Sequence, residues 1–283
     1  MSAIDQEIVK GLRLKAAEIR KREIEIIYQA KAGHTGGSLS STDMLTALYF
    51  HVMKVDAKHP ADPDRDRFIM SKGHSVEALY CVLAKAGFIS DADLATYGSF
   101  RTKLAGHPTR KVAGIEMNTG ALGHGLPAGV GMAIAAKMDA KSYNTYVLMG
   151  DGEQGEGSIY EAAMAASHYH LDNLVAIIDR NHLQISGNTE DVMSLEPMRA
   201  RWEAFGWDVY EIDGNDMQAI LECYEAIKTV KGKPHLIISN TIKGKGVSYM
   251  ENVAKWHHGV PTEAEYATAM QELDNAILTI KNA

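Results

Sequence analysis

The pattern of apolar and polar positions divides the chain into helices and short strands. From Ile8 to Ala30, apolar residues recur every three or four positions, which predicts an amphipathic helix. A second helical pattern covers Thr42 to Met53, and Ser41 or Thr42 is predicted to cap its start. Further helices are predicted over residues 158–169, 199–205 and 217–230.

Short runs rich in β-branched residues alternate with these helices. They read TYVLMG, NLVAIID, WDVYEID and HLIISNT and begin at Thr145, Asn173, Trp207 and His235. Alternating strands and helices are typical of a parallel sheet covered by helices on both faces. The predicted fold class is therefore α/β. Residues 1–283 are interpreted as one domain, because no repeat, low-complexity segment or linker interrupts the pattern.

Composition narrows the classes of partner and compartment. The chain has 29 basic and 36 acidic residues and no basic tract, which favours neither a nucleic-acid nor a membrane partner. Cys81 and Cys223 are too few for a disulfide framework or a cysteine metal site. The first 25 residues lack the apolar core of a signal peptide, and the weakly polar stretch Leu126 to Ala136 is too short to cross a bilayer. We expect a cytoplasmic protein.

Candidate chemistry follows the first two of these strands. Asp151 and Gly152 come directly after TYVLMG, and Asn181 follows the next strand, thirty residues after Asp151. Ligands of such sheets bind beyond the carboxyl ends of the strands, where glycines and helix amides admit a diphosphate. A carboxylate there needs a divalent cation, and Mg²⁺ commonly bridges carboxylates to phosphates. Alternatively, Asp151 caps a helix and Asn181 makes a turn, since both roles are common for these residue types. The paired glycines and the spacing favour the metal site.

The motif GDG followed by this asparagine resembles the metal-diphosphate motif of thiamine diphosphate enzymes. Five further segments read KAGHTGGSLSSTD, FIMSKGHSVEALY, LAGHPT, NTGALGHGLPAGVGMA and WHHGVPT. In this order they resemble the amino-terminal, diphosphate-binding half of transketolase, over about His34 to Pro261. The resemblance implies a thiamine diphosphate-binding fold of the PP type, with thiamine diphosphate and Mg²⁺ as cofactors and Ca²⁺ or Mn²⁺ as substitutes for the metal.

The resemblance also implies which residues hold the metal and the cofactor. The metal ligands would be Asp151, Asn181 and the backbone carbonyl of Leu183. Lys243, in the loop IKGKG, would lie near the cofactor, although a lysine in a glycine-rich loop is more often solvated. The complete set of cofactor-binding residues implied is His74, Gly120, Leu122, Gly152, Glu153, Asn181, Lys243 and His258.

Histidines form most of the catalytic set that the resemblance implies. His34 and His107 would contact the donor sugar near its carbonyl. His258 would lie beside the diphosphate and the substrate, with the adjacent His257 as the alternative. A structural role or a zinc site is the other interpretation, but His34, His74 and His107 are more than thirty residues apart, unlike the close ligand pairs of zinc sites.

Two further positions come from the same comparison. Glu156 resembles a family glutamate that lies at the subunit interface and links two active sites, and it is counted with the catalytic set. A solvated surface glutamate is its alternative. His124 stands where many relatives carry glutamine, and its role stays open.

The implied reaction transfers a two-carbon ketol unit from a ketose, or ketose phosphate, to an aldose or aldose phosphate. Family members keep the glutamate that activates the cofactor in a second, pyrimidine-binding domain, and this chain ends at Ala283. We therefore expect that domain on a separate chain, the carboxyl-terminal transketolase subunit, in an α2β2 assembly. Three alternatives remain: a related thiamine-dependent synthase, a 2-oxo-acid dehydrogenase subunit, and a non-catalytic subunit that binds thiamine diphosphate. The sugars, and a place in pentose phosphate metabolism or in a specialised pathway, stay open.

Overall fold

A parallel sheet of five strands forms the centre of the molecule. The computed structural model describes residues 4–283. Within them, the strands are β1 (Arg67–Met70), β2 (Thr145–Gly150), β3 (Leu174–Arg180), β4 (Leu183–Gln184), β5 (Gly187–Asn188), β6 (Asp208–Asp213) and β7 (His235–Asn240). The large sheet has the order β1-β2-β3-β7-β6 with every pair parallel, and β4 and β5 form a separate antiparallel pair. The predicted parallel sheet is confirmed.

Helices flank this sheet. Those of the described residues are α1 (Gln6–Ala30), α2 (Thr35–Ala47), α3 (Val76–Lys85), α4 (Asp91–Leu94), α5 (Gly125–Met138), α6 (Gly157–His168), α7 (Thr189–Val192), α8 (Met198–Ala204), α9 (Met217–Ile227) and α10 (Glu263–Asn282). The sequence predicted α1, α6, α8 and α9 to within three residues at each end. No helix in residues 4–283 combines the length and the apolar character needed to span a membrane.

The start of α2 was predicted wrongly. The helix begins at Thr35, after His34, and runs into a π-helical turn over Leu48–Val52. The predicted caps Ser41 and Thr42 lie inside it, fully buried, and donate hydrogen bonds to carbonyls four residues earlier. Buried hydroxyls can satisfy themselves in this way, so a run of serine and threonine does not mark a helix start when the helix is enclosed.

Several elements were not predicted, among them the edge strand β1 and helix α10. The edge strand β1 has only four residues, and its segment FIMSKGHSVEALY was assigned to the cofactor site rather than to a strand. Helix α10 begins with a capping box, in which Thr262 and Glu265 bond each other's backbone N–H groups. It packs on α1, where the rings of Tyr28 and Tyr266 stack with 4.1 Å between centroids.

Successive strand residues point to opposite faces and build two separate cores. In β2, Tyr146 and Leu148 join the core formed with α1, α2, α3 and α9, whereas Val147 and Met149 join the core formed with α5, α6 and α8. Both faces of the sheet are thus covered, which explains why its central strands are apolar throughout. Only the strand ends remain for polar chemistry.

Candidate active site

A cavity of about 350 Å³ lies at the carboxyl ends of β2 and β3. It brings together most of the residues that the sequence singled out, although they are spread over more than two hundred positions. A larger cavity of about 470 Å³, lined by residues between Phe88 and Ala113, contains none of them. The predicted residues that line the smaller cavity are His34, His74, Gly120, Leu122, Asp151, Gly152, Glu153, Asn181, Leu183 and Lys243.

Two of the remaining predicted residues border this cavity without lining it. The ring of His107 packs against Gly120, so closely that a Cβ on that glycine would lie 2.5 Å from the ring. The His34 ring centroid lies 6.2 Å from that of His107 and 4.5 Å from that of His258. His257, the alternative to His258, does line the cavity and stacks on His74 with 5.4 Å between centroids. Both histidines of WHHG therefore belong to one cluster.

Glu156 lies apart from the cavity. It is exposed and precedes the first turn of α6, without a capping hydrogen bond from its side chain. Its side chain packs against Gly123, beside Leu122, but it does not line the cavity with the other predicted residues. Its predicted position at a subunit interface is compatible with this exposure.

Two of the three predicted metal ligands, Asp151 and Asn181, are buried oxygen donors, and Leu183, which would contribute its carbonyl, is partly buried. Asp151 and Asn181 are only 3% and 5% exposed, although they follow the ends of β2 and β3. Asp151 accepts hydrogen bonds from the backbone N–H groups of Gly152 (2.7 Å) and His182 (2.8 Å). The capping role is thus real, because Asp151 begins the short 3₁₀ turn Gly152–Gly155, and the same carboxylate faces the cavity.

The predicted metal ligands are oxygen donors, unlike the histidines of the zinc interpretation. Across residues 4–283, no group of three or more histidine, cysteine or acidic side chains is arranged to hold a metal ion. Burial, together with the nearby Asp179 carboxylate, raises the pKa of Asp151. One carboxylate, one amide oxygen and one backbone carbonyl are hard ligands that suit Mg²⁺ bound together with phosphate oxygens.

Two buried lysines give the cavity positive charge. Lys243 is only 2% exposed, so its interpretation as a solvated loop residue was wrong. Its ammonium donates to the carbonyl of Leu183 and contacts Nδ1 of His257, both at 2.9 Å. Burial, and to a lesser degree the charge of Lys72, lowers the pKa of Lys243 to about 8.

Lys72 was missed by sequence reasoning. It lies two residues before His74 in SKGH, is 1% exposed, and forms an ion pair with Asp179. Its ammonium also donates to the carbonyl of Gly37 (2.9 Å) and the hydroxyl of Ser41 (2.8 Å). The available signal was its place just after β1, but that strand had not been predicted.

The cavity histidines are neutral near neutral pH. Burial lowers the pKa of His34 to about 4, of His74 to about 2 and of His257 to about 3. Neighbouring cations add to the effect, chiefly Lys72 for His74 and Lys243 for His257. A neutral imidazole offers one N–H donor and one acceptor nitrogen, so these rings can orient a hydroxyl or accept a proton.

Glu153 forms hydrogen bonds to three segments of the cavity wall. Its carboxylate accepts hydrogen bonds from the backbone N–H groups of Gly123 (2.9 Å) and Gly150 (3.0 Å) and from the hydroxyl of Ser71. It therefore links the end of β2 to the segment that contains Leu122. Burial raises its pKa.

Comparison with known proteins gives the family. A family model described as "Transketolase, thiamine diphosphate binding domain" matches residues 12–274. The chain is 62% identical to an apulose-4-phosphate transketolase subunit of Phocaeicola vulgatus, over 95% of this chain and 96% of that one. It is 44% identical to 6-deoxy-6-sulfo-D-fructose transketolase subunit SqwG of a Clostridium species, over 93% of this chain and 96% of that one.

Solved structures agree with the sequence relatives. The transketolase of Campylobacter jejuni superposes with a TM-score of 0.83 at 30% identity, covering 96% of this chain and 48% of that one. The chain thus spans slightly less than half of that transketolase. With a family model matched over nearly its whole length, the chain belongs to the transketolase family, in which it corresponds to the thiamine diphosphate-binding domain.

Proposed function

We propose that this chain is the amino-terminal subunit of a two-chain transketolase, which transfers a two-carbon ketol unit from a ketose phosphate to an aldose phosphate. The observation that carries the proposal is one cavity in which three oxygen donors, two of them on buried side chains, lie beside two lysines and the histidine cluster. Relatives named as transketolase subunits match almost end to end, whereas a solved transketolase is matched over only 48% of its length.

The donor set fits a divalent metal and a diphosphate. Asp151, Asn181 and the Leu183 carbonyl would hold Mg²⁺, and the remaining ligands would be phosphate oxygens and water. The ammonium of Lys243 already lies 2.9 Å from the Leu183 carbonyl, which supports this position as one for a cation. Gly152 borders the same space and would let a diphosphate approach the backbone.

The histidine cluster would bind and orient the sugar. Thiamine diphosphate, when bound, supplies the carbon nucleophile for the carbonyl group of the ketose. His34 and His107 would donate to the donor carbonyl and hydroxyl oxygens and move a proton during cleavage. His74, which lies deeper beside Lys72, would contact the diphosphate, as would Lys243, while Gly120 and Leu122 would border the rest of the cofactor. The role of His258 stays a prediction.

The proposal includes a partner. Residues 1–283 would form a single PP-type domain, and a second chain would bring the pyrimidine-binding domain and the activating glutamate. The exposed Glu156 would then contact that chain in an α2β2 assembly. For the donor we favour apulose 4-phosphate over sulfofructose, because the relative named for the former is 62% identical and the one named for the latter 44%.

Reconstitution tests this proposal. The chain is mixed with the carboxyl-terminal transketolase subunit of the same organism, in the presence of thiamine diphosphate and MgCl₂, and aldehyde release from each ketose is followed in a coupled assay. We expect turnover by the mixture and none by either chain alone, with the two chains eluting together on size exclusion. Turnover by this chain alone would contradict the two-chain assignment. Tight cofactor binding without turnover by the mixture would favour the non-catalytic alternative.

A further inference from the structure

We propose that Glu77 and Tyr80, on helix α3, are positioning residues that set the placement of His34 and His107 relative to His74. His74, Glu77 and Tyr80 recur at intervals of three residues at the start of α3. Side chains at this spacing lie on the same side of a helix. The inference rests on the proposed function insofar as His34 and His107 face the donor sugar.

Glu77 fixes the turn that contains His34. Its carboxylate accepts a hydrogen bond from the backbone N–H of His34 (3.1 Å) and one from the hydroxyl of Ser38 (2.8 Å). These two donors lie at the start of α2 and one turn further along it. A Cβ on Gly33 would lie 2.8 Å from the same carboxylate, so this glycine is what lets the chain pass so close. The position of His34 is thus tied to α3 through its backbone.

Glu77 is a buried acidic side chain without a cationic partner in the described part of the chain, which is unusual for a residue that only supports the fold. It is fully buried, and burial raises its pKa. Its third donor is the hydroxyl of Tyr97 at 2.5 Å, and in residues 4–283 no lysine, arginine or histidine forms a salt bridge with it. A buried carboxyl costs free energy that an apolar side chain of similar size would not. Its three directed hydrogen bonds, one of them to His34, are what such an apolar side chain could not supply.

Tyr80 contacts the backbone at His107, as Glu77 contacts the backbone at His34. Its hydroxyl lies 2.9 Å from the carbonyl oxygen of Ala105 and 3.2 Å from that of His107, and donates to them. The rings of Tyr80 and Tyr97 meet edge to face with 6.0 Å between centroids, and Tyr97 bonds Glu77 in turn. The segment that contains His107 and the turn that contains His34 are therefore joined to the same stretch of α3.

The consequence would be kinetic. Catalytic groups must be held within about 0.5 Å of the productive geometry, and a misplacement of about 1 Å can cost roughly 100-fold in rate. The side chains of Glu77 and Tyr80 bond the backbone of the two histidines assigned to the sugar and do not line the cavity. Their loss should therefore lower kcat/KM for the donor more than it lowers affinity for thiamine diphosphate.

The kinetic test uses the reconstituted complex. We expect Glu77→Leu and Tyr80→Phe to lower donor kcat/KM by roughly 10- to 100-fold, while the Kd for thiamine diphosphate changes by less than about threefold. Glu77→Gln keeps an oxygen that can accept from the His34 N–H, and should restore most of the activity. The matched controls are Glu23→Gln, another fully buried carboxyl that bonds α2, and Tyr224→Phe, whose buried hydroxyl bonds Met44 far from the histidines.

A second readout is independent of activity. In NMR spectra of the full chain, the imidazole signals of His34 and His107 should shift in Glu77→Leu and Tyr80→Phe and stay unchanged in the two controls. Unchanged signals would overturn the inference even if the complex had no transketolase activity. Shifted signals with wild-type kcat/KM, or equal kinetic losses in the controls, would overturn it as well. If Glu77→Leu fails to fold, Glu77→Gln and Tyr80→Phe still carry the test: wild-type kcat/KM in Tyr80→Phe would contradict it.

Discussion

Helix α2 presents hydroxyls on two faces, and each face contacts buried acidic side chains. The acid on one face is paired with a lysine, whereas the acids on the other face are bonded by hydroxyls. On the first, Ser40 and Ser41 bond the ion pair of Lys72 and Asp179. On the second, Ser38 and Thr42 bond the carboxyls of Glu77 and Glu23. We call these the ion-paired face and the hydroxyl-bonded face. All four hydroxyls come from the run SLSST.

The two faces shift the pKa values of their acids in opposite directions. On the ion-paired face, burial alone would raise the pKa of Asp179, but the Lys72 ammonium and the hydroxyl donors hold it below its usual value. On the hydroxyl-bonded face, burial raises the pKa of Glu23 to about 8, and the Thr42 hydroxyl opposes this only in part. The hydroxyl donor does not offset the effect of burial on the pKa of Glu23, whereas the Lys72 ammonium and the hydroxyls together outweigh it at Asp179. The ionised pair lies on the side of the proposed diphosphate site.

The largest effect should come from breaking the ion-paired face. In Lys72→Met, Asp179 would be left charged and buried without its partner, which typically costs about 3–5 kcal/mol. Glu77→Gln on the other face should change the free energy of unfolding by less than about 1 kcal/mol, because no ion pair is lost. Urea denaturation at pH 7.5 measures both. The double variant Lys72→Met/Asp179→Asn should recover part of the loss, and no recovery would show that packing of the lysine stem explains the loss.

The next effect concerns the proposed metal ligands. Asp151→Ala and Asn181→Ala should each weaken Mg²⁺-dependent binding of thiamine diphosphate by more than about 100-fold, since even outer-sphere partners of a metal cost roughly 10- to 100-fold. Because both side chains are buried, we also expect a lower Tm. Isothermal titration of the reconstituted complex with and without Mg²⁺ measures the affinity, with the partly exposed Asp172→Asn as control. Wild-type affinity in both variants would rule out this metal site.

The histidines should divide into two kinetic classes. His34→Ala and His107→Ala should lower kcat by on the order of 100-fold, the usual cost of one positioned donor at developing charge. His74→Ala should in addition raise the Kd for thiamine diphosphate, because we assign its ring to the diphosphate rather than to the sugar. Steady-state kinetics at saturating cofactor, together with cofactor titration, separates the two classes. Equal and negligible effects in all three variants would leave the histidines with a structural role.

The sequence predicted the sheet, and the residues grouped at its edge, better than the polar layer beside it. Asp151 and Asn181 could be brought together from sequence because the ends of neighbouring parallel strands share one edge. Their burial could not, since it depends on Arg180 and on the segment after β3, which close over Asp151. The pairing of Lys72 with Asp179 could not be predicted either, because these residues are more than one hundred positions apart in the sequence. Similarly, Ser41 or Thr42 was predicted to cap a helix, although both hydroxyls bond buried charged or acidic groups.

The last effect is a difference in the sign of pH dependence between the hydroxyl-bonded face and the histidine cluster. The pKa of Glu23 is raised to about 8, so the folded state keeps a proton that the unfolded state releases above about pH 4.5. This contribution to stability is present below pH 4.5 and is lost as the pH rises towards 8. The pKa of His257 is lowered to about 3, so its contribution is present above pH 6.5 and is lost as the pH falls.

Removing each group should therefore change stability at opposite ends of the pH range. Relative to wild type, Glu23→Gln should gain stability progressively from pH 5 to pH 8, and His257→Asn should gain progressively from pH 7 down to pH 5. One proton changes the unfolding equilibrium by at most about tenfold per pH unit. Urea midpoints measured at half-unit steps give both slopes, with Tyr224→Phe as a variant that removes no group titrating in this range. Parallel slopes for Glu23→Gln and His257→Asn would contradict the difference between the hydroxyl-bonded face and the histidine cluster, because a buried acid and a buried base must respond to protons with opposite sign.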